Sequence, residues 1–193
     1  LPTGVDLEYF YFKKRDPCSN KLVFVGWYQH YPNEDAMVYF INNIFPFIIR
    51  KIPQIEFLIV GGEPTFIIKK LAYKNNIKLT GGVKDIRIYL NSAMVFVSPL
   101  RYGAGIKTKV LEAMASGLPV VATQRGILGI CARDEEEALI SDSPKGFAEK
   151  VIRIFYDSKI RDKLSYNARK LMEEKYDFSK IAEQLSSIYK NYF

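Results

Sequence analysis

Cysteine is almost missing from this sequence. Cys18 and Cys131 are the only two and lie far apart, which leaves no metal-binding spacing and no disulfide framework; they read as free cytosolic thiols. Long hydrophobic runs are missing too. The greasiest stretch, 37–52, is broken by Asn42, Asn43 and Arg50, which predicts a buried or amphipathic helix rather than a membrane span. No charged start with an apolar middle and a small-residue cleavage pattern opens the chain, so secretion is not expected. There is no internal repeat and no low-complexity linker. Acidic residues are absent from 86–111, a stretch that holds Arg87, Arg101, Lys107 and Lys109, and they gather instead at Asp134, Glu135, Glu136 and Glu137.

What is present fits one buried domain: 193 residues, 48% hydrophobic, are too few for two large domains. The net charge of +7 invites a nucleic-acid reading, but a duplex needs a broad basic face. A local cationic excess around a glycine-rich turn suits a small phosphate ligand better, the alternative being a merely solvated surface.

Short β-branched or aromatic runs alternate with helical patterns, which predicts a doubly wound parallel α/β sheet. Strands are expected at 22–25, 56–60, 77–79, 94–97, 119–122 and 138–140. Between them lie helices: one capped by Asn33 with Glu34 and Asp35 in its first turn, one starting at Pro64, one capped by Asp85, and one over 106–116 closed by Gly117 and Pro119. Three more helices follow, at 144–155, 160–175 and 179–192. The reading divides the chain into an opening segment 1–20, a core 21–142 and a helical tail 143–193. The last helix carries Ile181, Leu185, Ile188, Tyr189 and Tyr192 as a stripe that covers apolar surface, either on its own core or elsewhere. Ligands of such sheets bind at the carboxyl ends of the strands, beside a topological switch point.

The segment 98–121 is richest in chemistry: a strand, a loop with Gly103 and Gly105, a helix and a second strand. Glycines admit a ligand close to the backbone, and a helix start offers unpaired N–H groups and a positive dipole end. Lys107 at that start opposes the dipole, which suggests an arriving anion. Glu112, one turn below Thr108, is either a carboxylate for two vicinal ribose hydroxyls or an ordinary half-exposed helix glutamate.

Leu111-Glu112-Ala113-Met114-Ala115, followed by Gly117, Pro119, Val120 and Val121, closely resembles the signature of glycosyltransferase family four, in which an E-G-F-G loop leads into L-E-A-M-A-x-G-x-P-V-V. Leu1-Pro2-Thr3-Gly4-Val5-Asp6 is similar to the I-P-N-G-V-D that follows the first Rossmann domain of those enzymes. Val23 to Gly26, Phe57 to Gly61, Thr80 to Val83, Phe96 to Pro99 and Glu173 to Phe178 follow in the family's order, so the resemblance covers essentially the whole chain. It implies the nucleotide-sugar-binding, C-terminal half of a retaining GT-B glycosyltransferase, a Rossmann-like sheet of about six strands. By the same resemblance, a preceding acceptor domain is absent.

The expected substrate is a nucleotide sugar, UDP-linked rather than GDP-linked, with no metal and no separate cofactor. The implied partner of the whole protein is a glycan or lipid-linked acceptor in polysaccharide assembly, in the cytoplasm or at the inner membrane face, with no nucleic acid. The resemblance gives Glu112 the ribose and Gly82 and Val83 the base; Lys107 is the candidate replacement for the family's cation at the diphosphate, with the amides of Gly103, Ala104, Gly105 and Ile106, and Lys107 and Glu112 are the expected catalytic residues. Arg101 and Lys109 stand in reserve for Lys107, Gly26 borders the site, and His30 and the 126–129 loop are lesser candidates.

Two departures matter. The family's earlier glutamate, eight positions before Glu112, is Ala104 here, and the usual cation after Gly26 is replaced by Trp27. Alternatives are a sugar-nucleotide epimerase of the same architecture and a nucleotide-binding module whose catalysis has lapsed. A dinucleotide oxidoreductase fits poorly, because no G-x-G-x-x-G turn follows a strand.

Overall fold

The computed structural model describes residues 3–73 and 76–192. Leu1 and Pro2 of the opening motif lie outside the described residues, as does the side chain of Tyr192. Six strands form one sheet: β1 Lys21–Val25, β2 Glu56–Val60, β3 Ile77–Gly81, β4 Val95–Ser98, β5 Val120–Ala122 and β6 Leu139–Ile140. The order is β3-β2-β1-β4-β5-β6, and every pairing is parallel.

Both faces of the sheet are covered, which is why the strands read as apolar runs rather than as alternation. Leu22, Phe24, Phe57, Ile59, Val95 and Val97 face one core with Met37, Phe40, Ile44, Ile48 and Phe147. Val23, Val25, Leu58, Val60 and Phe96 face the other, with Leu111, Met114 and Met172. The first core is floored by helix α1 Tyr31–Tyr39, α2 Phe45–Lys51 and α6 Pro144–Tyr156; α3 Phe66–Leu71 packs against α1. The second is closed by α4 Arg87–Ser92, α5 Thr108–Ala115 and α7 Ser158–Lys175. The last helix, α8, runs Phe178–Tyr192.

Local chemistry shifts several expected boundaries. Asn33 is not a cap: α1 already starts at Tyr31 with Pro32 in its first turn, His30 takes the capping position, and the Asn33 amide donates to the Trp27 carbonyl at 2.9 Å. The 37–52 helix is interrupted by a π turn, Phe40–Ile44, before α2. Pro46 has no N–H to give and its ring crowds the carbonyl four residues back, so the ladder widens there. Thr65, not Pro64, caps α3 through its hydroxyl. Asp85 is not the cap of the 87–92 helix, where Ile86 takes that position, although the Asp85 carboxylate accepts from the Arg87 N–H at 2.9 Å.

The acids at 134–137 are consumed structurally: Asp134 pairs with Lys150, Glu135 with Arg153, Glu136 with Lys163 and Glu137 with Arg133. In the tail, Ile181 reaches back toward Gly4, while Leu185, Ile188 and Tyr189 remain exposed. Val5 bridges to Asp177, so the opening segment is tied to the start of α8.

Candidate functional site

The chain runs outward from β1 to β3 and then returns to the opposite side of β1 with β4, so the loops leaving β1 and β4 part and open a crevice. A cleft of about 320 Å³ occupies it, within the usual size of ligand pockets. Val25, Gly26, Phe96 and Ser98 line its floor. Trp27, His30, Pro32 and Asn33 form one wall; Gly103, Ala104, Ile106, Lys107, Thr108 and Lys109 form the other.

The second wall depends on two glycines. Gly103 at φ 103° and Gly105 at φ 70° place the 101–107 loop in the left-handed region, where a side chain would be strained. Lys107 then takes the cap position of α5, and its ammonium turns back to donate to the carbonyls of Ala104 at 3.0 Å and Gly105 at 2.6 Å. An ammonium has three donors, and these bonds use two of them. Burial, followed by the positive charge of Arg125, pulls the Lys107 amine below its ordinary range. Arg125 lies on the exposed turn after β5 and was not visible as a site residue in the sequence. Its only signal there is a cation shortly after a strand's carboxyl end. The 126–129 loop is packed rather than loose: Ile127 is buried, Ser98 donates to the Gly126 carbonyl, and Gly129 abuts Ile106.

The two reserve cations are already engaged. Arg101 makes a bidentate pair with Asp35, at 3.0 and 2.5 Å, and lies over the Tyr39 ring. Lys109 lines the cleft but donates to Glu112 at 3.1 Å. Glu112 itself does not line the cleft and sits behind Lys109 with its side chain 15% exposed. Its second oxygen, Oε2, is buried and has no hydrogen-bond partner among the described residues. Burial pushes its carboxyl above the usual carboxylate range, with Lys109 pulling the other way. A buried, unpaired carboxylate oxygen is expensive in a finished structure, so its place beneath the cleft marks it.

Of the remaining predicted residues, Gly26 and Ile106 line the cleft, while Gly105 does not. Gly82 and Val83 follow β3 and stand outside the cleft, with Gly62 between; a ligand reaching them must cross Gly62. Gly61, at φ 138°, presses its α-carbon against the Gly26 carbonyl, so the exit turns of β1 and β2 share one close backbone contact. No group of three or more His, Cys, Asp or Glu suited to a metal ion occurs among the described residues. None of their helices is long and apolar enough to cross a membrane.

The sequence profile of the family Glycosyl transferases group 1 matches residues 19–157. An uncharacterized 44.6 kDa protein in the cps region of Klebsiella pneumoniae is 27% identical over 98% of this chain and 50% of its own length. The chain thus spans about half the length of that relative. Sucrose-phosphate synthase from Thermosynechococcus elongatus has the same fold, with a TM-score of 0.78 and 22% identity over 100% of this chain and 52% of its own. So does Anabaena HepE, solved in complex with UDP and glucose, with a TM-score of 0.73 and 15% identity over 97% of this chain and 55% of its own.

Proposed function

The chain belongs to the family Glycosyl transferases group 1, and from that premise we propose that its cleft binds the nucleoside diphosphate of a UDP-sugar, as the donor-binding half of a retaining glycosyltransferase. Lys107 carries this reading: a cation at the cap of α5, on the wall of a cleft at the β1/β4 switch point. An ammonium depressed first by burial and then by the charge of Arg125 gains from the arrival of a diphosphate. The loop amides and the positive end of α5 add to it. As the bond between the sugar's anomeric carbon and the diphosphate breaks, negative charge grows on the leaving oxygen. Fixed donors aimed there stabilise that charge more than the ground state, without a metal.

Glu112 takes the ribose hydroxyls in this reading. Ligand entry shifts Lys109 toward the phosphates and opens Oε2, which then gains the partner it lacks. Gly82 and Val83 are the base-reading turn at the far end. HepE, of the same fold, holds UDP and glucose, which favours uridine over guanosine. The acceptor is a glycan or lipid-linked saccharide, as the family resemblance implies.

A panel of nucleotides tests the reading by melting temperature. UDP at about ten times its dissociation constant is expected to add about 1.4 kcal/mol of stability. No shift with uridine or guanosine diphosphates at millimolar levels overturns it. Lys107→Ala is expected to weaken UDP about fivefold and uridine hardly at all, since this half-exposed ammonium meets only phosphate. Equal losses for both ligands, measured by calorimetry, remove the phosphate assignment.

Ala104 favours a second reading, a module that binds the nucleotide without transfer, because no carboxylate stands where a donor sugar would lie. Acceptor-dependent UDP release by the full-length protein separates the two.

A further inference from the structure

The two walls of the cleft leave the sheet on opposite sides of the switch point, and one ion pair ties them together. Asp35, on α1, is buried, and both of its oxygens accept from a single side chain of the other wall: Arg101 donates through Nε at 3.0 Å and through Nη2 at 2.5 Å. The partners are 66 residues apart in the chain. One turn along α1, the Tyr39 ring lies 4.6 Å from the guanidinium, so Asp35 and Tyr39 form a socket for it. The rings of Tyr31, which opens α1, and Tyr102 lie 5.7 Å apart, a second contact between the same two segments.

Arg101 stands where the chain ceases to be fixed by the sheet. Before it, Leu100 is buried and its carbonyl accepts from the Thr123 hydroxyl at 2.5 Å. After it come Gly103 and Gly105, both at positive φ, and then Lys107 at the cap of α5. A loop with two glycines does not keep one shape by its own propensity. Its shape matters, because the Lys107 ammonium is held by the loop's own carbonyls at Ala104 and Gly105. Gly103 passes between the walls: a Cβ placed on it would stand 3.8 Å from Pro32 and 3.8 Å from the end of Lys107. The seat of the loop against α1 therefore sets where that ammonium stands.

Resting on the donor-site reading for the ligand, we infer that Asp35 and Arg101 are positioning residues: a latch that holds the glycine loop and Lys107 in the shape that receives a diphosphate. The charge of Arg101 is already met by Asp35, so it acts through Lys107 and not on the phosphates. An exposed pair between two flexible side chains would be a weak hold, but here the carboxylate is buried and the fork fixes direction as well as distance. The two ends differ in what their loss does. Removing Arg101 strands a buried carboxylate, whereas neutralising Asp35 leaves a guanidinium that is nearly half in water. Asp35→Asn is therefore the variant that loosens the latch and spares the fold. Arg101→Lys, which keeps the charge but not the fork, is the second.

Amide hydrogen exchange of the ligand-free chain reads the loop, and calorimetry reads UDP and uridine. Asp35→Asn is expected to speed exchange at 102–107 while β1 and β2 keep their protection. With the receptive shape reduced to between about a third and about a tenth of the population, UDP weakens about threefold to tenfold and uridine less than about twofold. Arg101→Lys is expected to fall between the variant and the original chain. On a Lys107→Ala background, Asp35→Asn should cost less UDP affinity than it does alone, because the group that the latch positions is gone. Loop exchange at the original rate overturns the latch, and so does exchange that rises alike throughout the sheet. A loss equal for UDP and uridine, or equal with and without Lys107, overturns it too. If the unaltered chain binds no UDP, the donor-site reading fails, and hydrogen exchange alone decides the latch.

Discussion

Glu112→Gln is expected to leave the ligand-free chain no less stable at neutral pH and to weaken UDP binding by about 1.5–3 kcal/mol, the range of hydrogen bonds to a charged group. A residue that served only the fold would show the opposite pattern. The carboxyl is raised above its ordinary value by burial, so the native state binds its proton more tightly than the unfolded chain does. Stability therefore falls as pH rises from the ordinary carboxylate value through the raised one, and the deficit persists above it. Glutamine, which does not titrate, removes that slope. Melting curves of the two proteins between about pH 4 and pH 7 should converge at the acid end and separate toward neutrality, with glutamine the higher. Unchanged UDP affinity in the variant would withdraw the ribose role. A loss of apo stability would make the Lys109–Glu112 pair a structural element instead.

Gly61→Ala is expected to cost about 3–5 kcal/mol, among the larger effects of a single methyl group. Gly61 sits at φ 138°, and an added Cβ would fall on the Gly26 carbonyl. The obstacle is backbone rather than the end of a flexible side chain, so β1 and β2 would have to part at the rim of the cleft. Gly62, one residue on, has nothing within 4 Å of such a Cβ and is the control, expected to change stability by less than about 0.5 kcal/mol on replacement by alanine. Chemical denaturation of both variants decides the matter. Equal stabilities would show that the exit turns separate freely.

The sheet was legible because parallel strands buried on both faces write themselves as runs such as Phe57-Leu58-Ile59-Val60, flanked by glycine. Strand edges moved by one or two residues, since a ladder's last bond depends on a neighbour that the strand's own sequence does not contain. Helix starts were harder. Asn33 has the right chemistry for a cap, yet its amide is spent on the Trp27 carbonyl, a choice made by the turn before it.

In the site, Gly103, Gly105 and Lys107 were visible because loop and helix start are contiguous in sequence. Arg101 looked like a free cation because Asp35, its partner, is on another helix. Glu112 was visible, but its place behind Lys109 was not, because spacing gives a helix face and not what lies over it. Arg125 comes to act on Lys107 only through the topology of the sheet, so no local pattern announces it.

The seam between β1 and β4 carries one further consequence. Leu22 pairs with Val95 and Val23 with Phe96, whereas the β1–β2 pairing spans less than half that length of chain. Closing the seam spans the loop that holds β2, β3 and their crossover helices, and a longer loop loses more entropy before its contacts reward it. The cleft lies on that seam, so it is complete only once the seam is closed. A nucleotide bound there as proposed would act on the lifetime of the finished domain, by slowing unfolding, and is expected to leave the folding rate nearly unchanged, which stopped-flow refolding with and without UDP checks.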